Sequence, residues 1–189
     1  MKNKKIRTWI FIGLILIAGI FIFSANLKNS GNQQSRSSVG ANGEFPVWMN
    51  TELKDVRTGE TFRISDFEGK PILLESFAVW CPTCTKQQNE VKKLHDEIGD
   101  SVVSIAINTD PNEDESKVLE HIQKNNFNWY YAISPIDMTQ SLISEFGNSI
   151  INAPSTPMVL ICEDGSYRKL GSSGVRDTAE LKEEIERGC

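Results

Sequence analysis

The chain has 189 residues, 39% of them hydrophobic, which suits one globular domain with an appendage. Its net charge of −5 is unevenly spread: residues 1–43 hold six Lys/Arg and no acid, and the acidic remainder carries the excess of Asp and Glu. An acidic globular part argues against nucleic-acid binding, which needs basic patches for phosphates. Four cysteines, only two closely spaced, do not make a disulfide scaffold.

Lys2, Lys4, Lys5 and Arg7 precede eighteen uncharged residues, Thr8 to Ala25. At about 1.5 Å per residue this run nearly crosses a hydrocarbon core of about 30 Å. The flanking cations can snorkel to close the gap. Residues 1–25 are therefore expected to be a membrane anchor with a cytoplasmic N-terminus, the rest lying outside. The competing expectation is a cleaved signal peptide, but Phe23-Ser24-Ala25 puts a large residue where a small one is needed. Residues 26–44, rich in Asn, Ser, Gly and Gln, read as a flexible linker reaching roughly 25 Å. Residues 45–189 read as one domain.

Leu53 to Ile64 predicts a hairpin turning at Thr58-Gly59. Ile72 to Phe77 predicts a buried central strand. Cys81 to Ile98 predicts a long helix closed by Gly99. A strand is expected over Val102 to Asn108 and a helix over Glu113 to Asn126. Trp129 to Ile133 predicts a further strand, and Met138 to Phe146 a helix. Met158 to Cys162 and Tyr167 to Leu170 form a second hairpin, and Thr178 to Arg187 a closing helix. Strands alternating with helices imply an α/β sandwich around a mixed sheet.

The chemistry sits where the central strand meets the long helix, at Cys81-Pro82-Thr83-Cys84. A helix N-terminus offers unpaired N–H groups and a positive dipole end, both favouring a thiolate. Pro82 suits the first turn. Cys84 lies one turn on, near enough for a disulfide. Haem attachment would need His where Thr85 stands. A zinc site would need two more ligands, and Cys162, Cys189, His95 and His121 are scattered. Both histidines are expected to be solvated, Cys162 to be an inert strand residue, and Cys189 to lack a partner.

Trp80-Cys81-Pro82-Thr83-Cys84 resembles the thioredoxin active site. Thr156-Pro157 before an apolar strand is similar to that family's cis-proline, and Glu75 stands where thioredoxins hold a buried Asp. Asp66 to Leu74 resembles the membrane-tethered extracytoplasmic branch of TlpA, ResA and the cytochrome c maturation thioredoxins. The resemblance covers about Phe45 to Arg187. It implies a thioredoxin-like fold with an N-terminal hairpin and a strand–helix insertion before the cis-proline. It further implies a Cys81–Cys84 dithiol/disulfide cycle, disulfide-containing protein substrates, a membrane dithiol electron donor and no cofactor. Trp80, Pro82, Thr83, Thr156 and Pro157 would bind substrate.

On this reading Cys81 is the exposed nucleophile and Cys84 the resolving thiol. Glu75, shielded by sheet and helix, would hold a proton near neutral pH and take one from Cys84. The alternatives are two structural thiols, a Glu that merely ends its strand, and an ordinary trans turn at Pro157 before its strand. Where cytochrome-maturation members often place Glu, this chain has Gln87, which cannot titrate. A thiol peroxidase of the peroxiredoxin type would need Thr three residues before its cysteine, where Ala78 stands. A copper-delivery protein would need Cys-x-x-x-Cys and a downstream His.

Overall fold

The computed structural model describes residues 45–171 and 174–189. The expected anchor and linker, residues 1–44, lie outside the described residues. Among the described residues no helix is long and apolar enough to cross a membrane.

A single helical turn, α1 (Val47–Asn50), leads into a hairpin of β1 (Leu53–Lys54) and β2 (Thr61–Phe62). Then come β3 (Ile72–Phe77), α2 (Pro82–Ile98), β4 (Val103–Asn108) and α3 (Glu115–Asn125). They are followed by β5 (Tyr130–Ile133), α4 (Ile136–Phe146), β6 (Met158–Ile161), β7 (Tyr167–Lys169) and α5 (Thr178–Arg187). The main sheet has the order β5-β4-β3-β6-β7. β3, β4 and β5 run parallel, whereas β6 pairs antiparallel with both β3 and β7. This is the mixed sheet flanked by helices that the pattern predicts.

β3 is buried along all six residues because helices cover both faces of the sheet. Successive side chains alternate between faces. Leu73 and Phe77 join Val91, Leu94, Val118 and Leu181 beneath α2, α3 and α5. Ile72 and Leu74 join Trp48, Ile64, Met138 and Leu142 on the other side. Glu75 shares the face of Leu73 and Phe77, so β3 carries a carboxyl into the apolar layer under α2. The hairpin covers the free edge of β5: Val56 donates its N–H to the Tyr131 carbonyl at 2.8 Å. An edge so paired offers no template for another strand.

Local chemistry sets the helix ends. Asp114 accepts the Lys117 N–H at 3.0 Å, so α3 begins after it rather than at Glu113. Asn126 ends α3 in the left-handed region. α4 starts two residues before the expected Met138, because Ile136 is 74% exposed and lies off the apolar stripe. α5 carries a capping box of Asp177 and Glu180. One turn is too short to show periodicity, which is why α1 escaped the pattern. Its Trp48 is buried edge-on against Tyr167 and Phe146.

Two expectations are corrected here. His121 is buried rather than solvated, and His95 is half-buried, stacking on Trp129 with Nε2 2.9 Å from Ser104 Oγ. Both rings lie on the inner side of their helices, where aromatic packing outweighs their polarity. Cys189 also has a partner. It is bonded to Cys162, with Cα atoms 6.0 Å apart, which ties the chain beyond α5 back to the end of β6.

Candidate active site

Cys81 follows β3 as the N-cap of α2, in extended backbone with Pro82 next. Its Sγ accepts the Cys84 N–H at 3.1 Å, so one of the helix's free amides points at the sulfur. Cys81 and Cys84 form a disulfide, with Cα atoms 5.3 Å apart. Cys84 Sγ lies 3.2 Å from the Ala153 carbonyl oxygen. Thr83 Oγ1 is 3.2 Å from Cys81 Sγ and donates to the Pro154 carbonyl at 3.1 Å.

Cys81 was expected to be the exposed sulfur. In the disulfide state both cysteines are fully buried. Thr83 Oγ1 lies against Cys81 Sγ, and the Ala153 carbonyl of the 153–156 turn against Cys84 Sγ. What faces solvent beside Cys81 is Trp80, 59% exposed, together with Pro82.

Pro157 is not cis: no cis peptide bond occurs among the described residues. The chain reverses instead at Thr156, which is left-handed at φ 47° after a short 3-10 turn over Ala153–Ser155. Thr156 is held by its hydroxyl, which donates to the Gly174 carbonyl at 2.6 Å. Its N–H donates to the Ala153 carbonyl, and its carbonyl accepts from Arg176 Nη1. Thr156 and Pro157 are both buried and form a wall of the site. Gln87 reinforces that wall, exchanging hydrogen bonds of 3.1 and 2.7 Å with the Arg176 backbone.

Glu75 is 3% exposed beneath α2. Burial pushes its pKa up to about 8, and the neighbouring Gln88 amide opposes this in part. Glu75 Oε1 has no close hydrogen-bond partner, so the carboxyl is held mainly by being walled off from water. Gln88 lies one helical turn after Cys84 on the same side of α2. Across the sheet, Glu75, Ala106 and Tyr131 share one register row. The small Ala106 lets the Tyr131 ring, fully buried, approach the carboxyl. Burial raises the Tyr131 phenol well above its ordinary value, and Glu75 adds to that.

Sequence reasoning passed over the loop between β4 and α3. Glu113 accepts the Val79 N–H at 2.8 Å and the Trp80 N–H at 3.3 Å, and takes the Asn108 amide at 2.5 Å. Asp110 accepts the Trp80 indole N–H at 2.5 Å. Together they fix the two residues that lead into Cys81. Hydrogen bonds from the Asn112 backbone and the Trp80 indole hold the Asp110 carboxyl below its usual range. The available signal was Asn-Thr-Asp-Pro-Asn-Glu at the end of a parallel strand, on the side of the sheet where α/β sites form.

A dithiol pair capping a helix, backed by a buried carboxyl on the central strand, defines a thiol–disulfide oxidoreductase of thioredoxin-like architecture. A family model described as Redoxin matches residues 41–185, and the chain belongs to that family. It is 25% identical to the thiol-disulfide oxidoreductase ResA of Halalkalibacterium halodurans over 97% of this chain and 95% of that one. It is 29% identical to the thiol:disulfide interchange protein DsbE of Vibrio cholerae over 49% of this chain and 50% of that one. A solved structure of a secreted Mycobacterium tuberculosis disulfide oxidoreductase superimposes with a TM-score of 0.58 at 17% identity. That match covers 74% of this chain and 97% of the other.

Proposed function

We propose that this protein is a membrane-anchored reductase of protein disulfides, working outside the cytoplasm. The observation that carries the reading is the asymmetry of the two sulfurs. Cys81 Sγ receives a helix-terminal N–H beside exposed Trp80, whereas Cys84 sits under the helix against the Ala153 carbonyl. A reduced Cys81 is thereby favoured as thiolate, and Cys84 as thiol.

In the forward direction the Cys81 thiolate attacks one sulfur of a substrate disulfide. A Cys81–substrate bond forms, and the substrate's other sulfur leaves as thiolate and is protonated. Glu75 as carboxylate takes the Cys84 proton, and the Cys84 thiolate attacks Cys81. The mixed disulfide breaks, the second substrate thiolate leaves, and the substrate has gained two electrons. The Cys81–Cys84 disulfide is then reduced by a dithiol carrier in the membrane. The uncharged run of residues 8–25 and its basic flank support the anchor, and the ResA likeness over nearly the whole chain agrees with an oxidoreductase of that kind.

Insulin reduction driven by dithiothreitol tests the chemistry. Cys84→Ser should accumulate a disulfide from Cys81 to substrate, and Cys81→Ser should trap nothing, on a non-reducing gel with mass mapping. Turnover by Cys81→Ser would overturn the assignment. A tag after residue 189 should be open to protease on intact cells and stay with membranes. A soluble product starting near Asn26 would replace the anchor with a signal peptide.

A further inference from the structure

His121 projects from α3 toward the underside of α2. It is 6% exposed and lies parallel to the ring of Phe77 at 5.8 Å. Its Nε2 is 2.7 Å from Gln88 Oε1. An amide oxygen only accepts, so Nε2 carries the proton. Nδ1 then presents its lone pair to the Asn125 amide at 3.4 Å. With its oxygen held by His121, the Gln88 NH₂ is the end left for Glu75, whose pKa this amide lowers in part. Gln88 Nε2 is buried without a close partner, as is Glu75 Oε1. Leaving both atoms buried and unpaired is costly. Ionisation of Glu75 draws the amide in and converts the loose contact into a charge-assisted hydrogen bond. His121 lines a cleft of about 250 Å³ with Lys117, Glu120 and Asn125.

We propose that Gln88 and His121 are positioning residues for Glu75: His121 fixes the Gln88 amide so that its N–H groups stabilise the Glu75 carboxylate. The pair thereby sets the pH range over which Glu75 can take a proton. The titratable and charged groups facing His121 are Lys117, Glu120 and Lys124 of its own helix, Glu113 of the preceding loop, Glu75 through Gln88, and the neutral Tyr131 beyond it. Burial lowers the His121 pKa, Glu113 opposes that and Lys124 assists it, so the ring is neutral at physiological pH. A neutral ring keeps one donor, as the Gln88 contact requires. That Glu75 serves Cys84 rests on the function proposed above; that Gln88 and His121 set its proton affinity does not.

The test is carboxyl titration of Glu75 by carbon-detected NMR in the oxidised full chain, alongside the pH profile of mixed-disulfide resolution in the reduced protein. Gln88→Leu should raise the Glu75 midpoint by about one pH unit, the usual scale for losing one hydrogen bond to a charged group. His121→Phe keeps the ring packing but loses the donor, and should move the midpoint the same way. His121→Gln places an amide N–H near the imidazole Nε2 position and should restore it. A merely structural role would change melting temperature without this pattern of shift and rescue. Should Gln88→Leu not fold, the two His121 variants decide alone. An unmoved Glu75 midpoint in the folded variants overturns the proposal. A moved midpoint with an unmoved resolution profile supports it and removes Glu75 from the reaction cycle instead.

Discussion

Cys162, just past β6, is bonded to Cys189, just past α5. The bond closes a loop of 27 residues around β7 and α5. Chain-entropy arguments give such a loop about 3.5 kcal/mol of stabilisation. The pair lies at the end of the sheet remote from α2's N-terminus, since β6 runs antiparallel to β3.

Cys162→Ser with Cys189→Ser should therefore lower the melting temperature by about 6–12 °C for a domain of this size. Insulin reduction at 25 °C should stay close to that of the parent. Calorimetry and the turnover assay check the two halves separately. Loss of turnover in a folded double variant would show that the second disulfide takes part in electron transfer.

This bond also shows where sequence reasoning stops. Cys81 and Cys84 are legible because their spacing is local: strand end, Pro82 and one helical turn place the sulfurs together. Cys162 and Cys189 meet only after β7 and α5 have packed. The hint was arithmetic, an even number of cysteines with two left over. Glu75 was legible as a polar residue in an apolar run, whereas Gln88 and His121 were not. They sit 33 residues apart and read as polar faces of two separate helices. The turn at Thr156 likewise depends on Gly174 and Arg176, which the local Pro-Ser-Thr-Pro run does not announce.

Glu75 makes a prediction about stability. Its pKa rises from 4.5 to about 8 on burial. Between those values the folded chain binds more protons than the unfolded one, so stability falls as pH rises through the window. The contribution is fully present below about pH 4.5 and lost above about pH 8. At one pKa unit per about 1.4 kcal/mol, the decline is up to about 5 kcal/mol. Glu75→Gln should flatten this part of the profile, with the gain over the parent largest at alkaline pH. Denaturant melts from pH 5 to 9 check it, and an unchanged slope would mean that water reaches the carboxyl.

Glu113 predicts a difference between two substitutions. Glu113→Gln keeps an oxygen for either the Val79 or the Trp80 N–H, whereas Glu113→Ala leaves both without their acceptor. Glu113→Ala should cost about 1–3 kcal/mol, and Glu113→Gln clearly less. Since Val79 and Trp80 lead directly into Cys81, Glu113→Ala should also slow the first attack on substrate. Stopped-flow formation of the mixed disulfide in a Cys84→Ser background reads that step alone. Equal rates for the two variants would limit Glu113 to stability.

Thr83 predicts a change at Cys81 itself. In the disulfide state its hydroxyl donates to the Pro154 carbonyl and lies 3.2 Å from Cys81 Sγ. Reduction gives the sulfur a full negative charge, a far better acceptor than a bonded sulfur. The hydroxyl can then turn to the thiolate with little movement of Thr83. A hydrogen bond to an ionised group is worth about 1.5–3 kcal/mol, and the Cys84 N–H already supplies one. Thr83→Val keeps the shape and removes the donor, so it should raise the Cys81 thiol pKa by about one unit. Ultraviolet titration of the thiolate measures that shift, with Cys84→Ser to isolate one sulfur. The attack on insulin should slow most below the raised pKa and recover at alkaline pH, where the thiolate forms without help. Thr83→Ser, which keeps the hydroxyl, should restore the parent titration. A pKa unmoved by Thr83→Val would mean that the hydroxyl stays on Pro154 through the cycle, where it would brace the 153–156 turn and leave Cys81 to the helix amide alone.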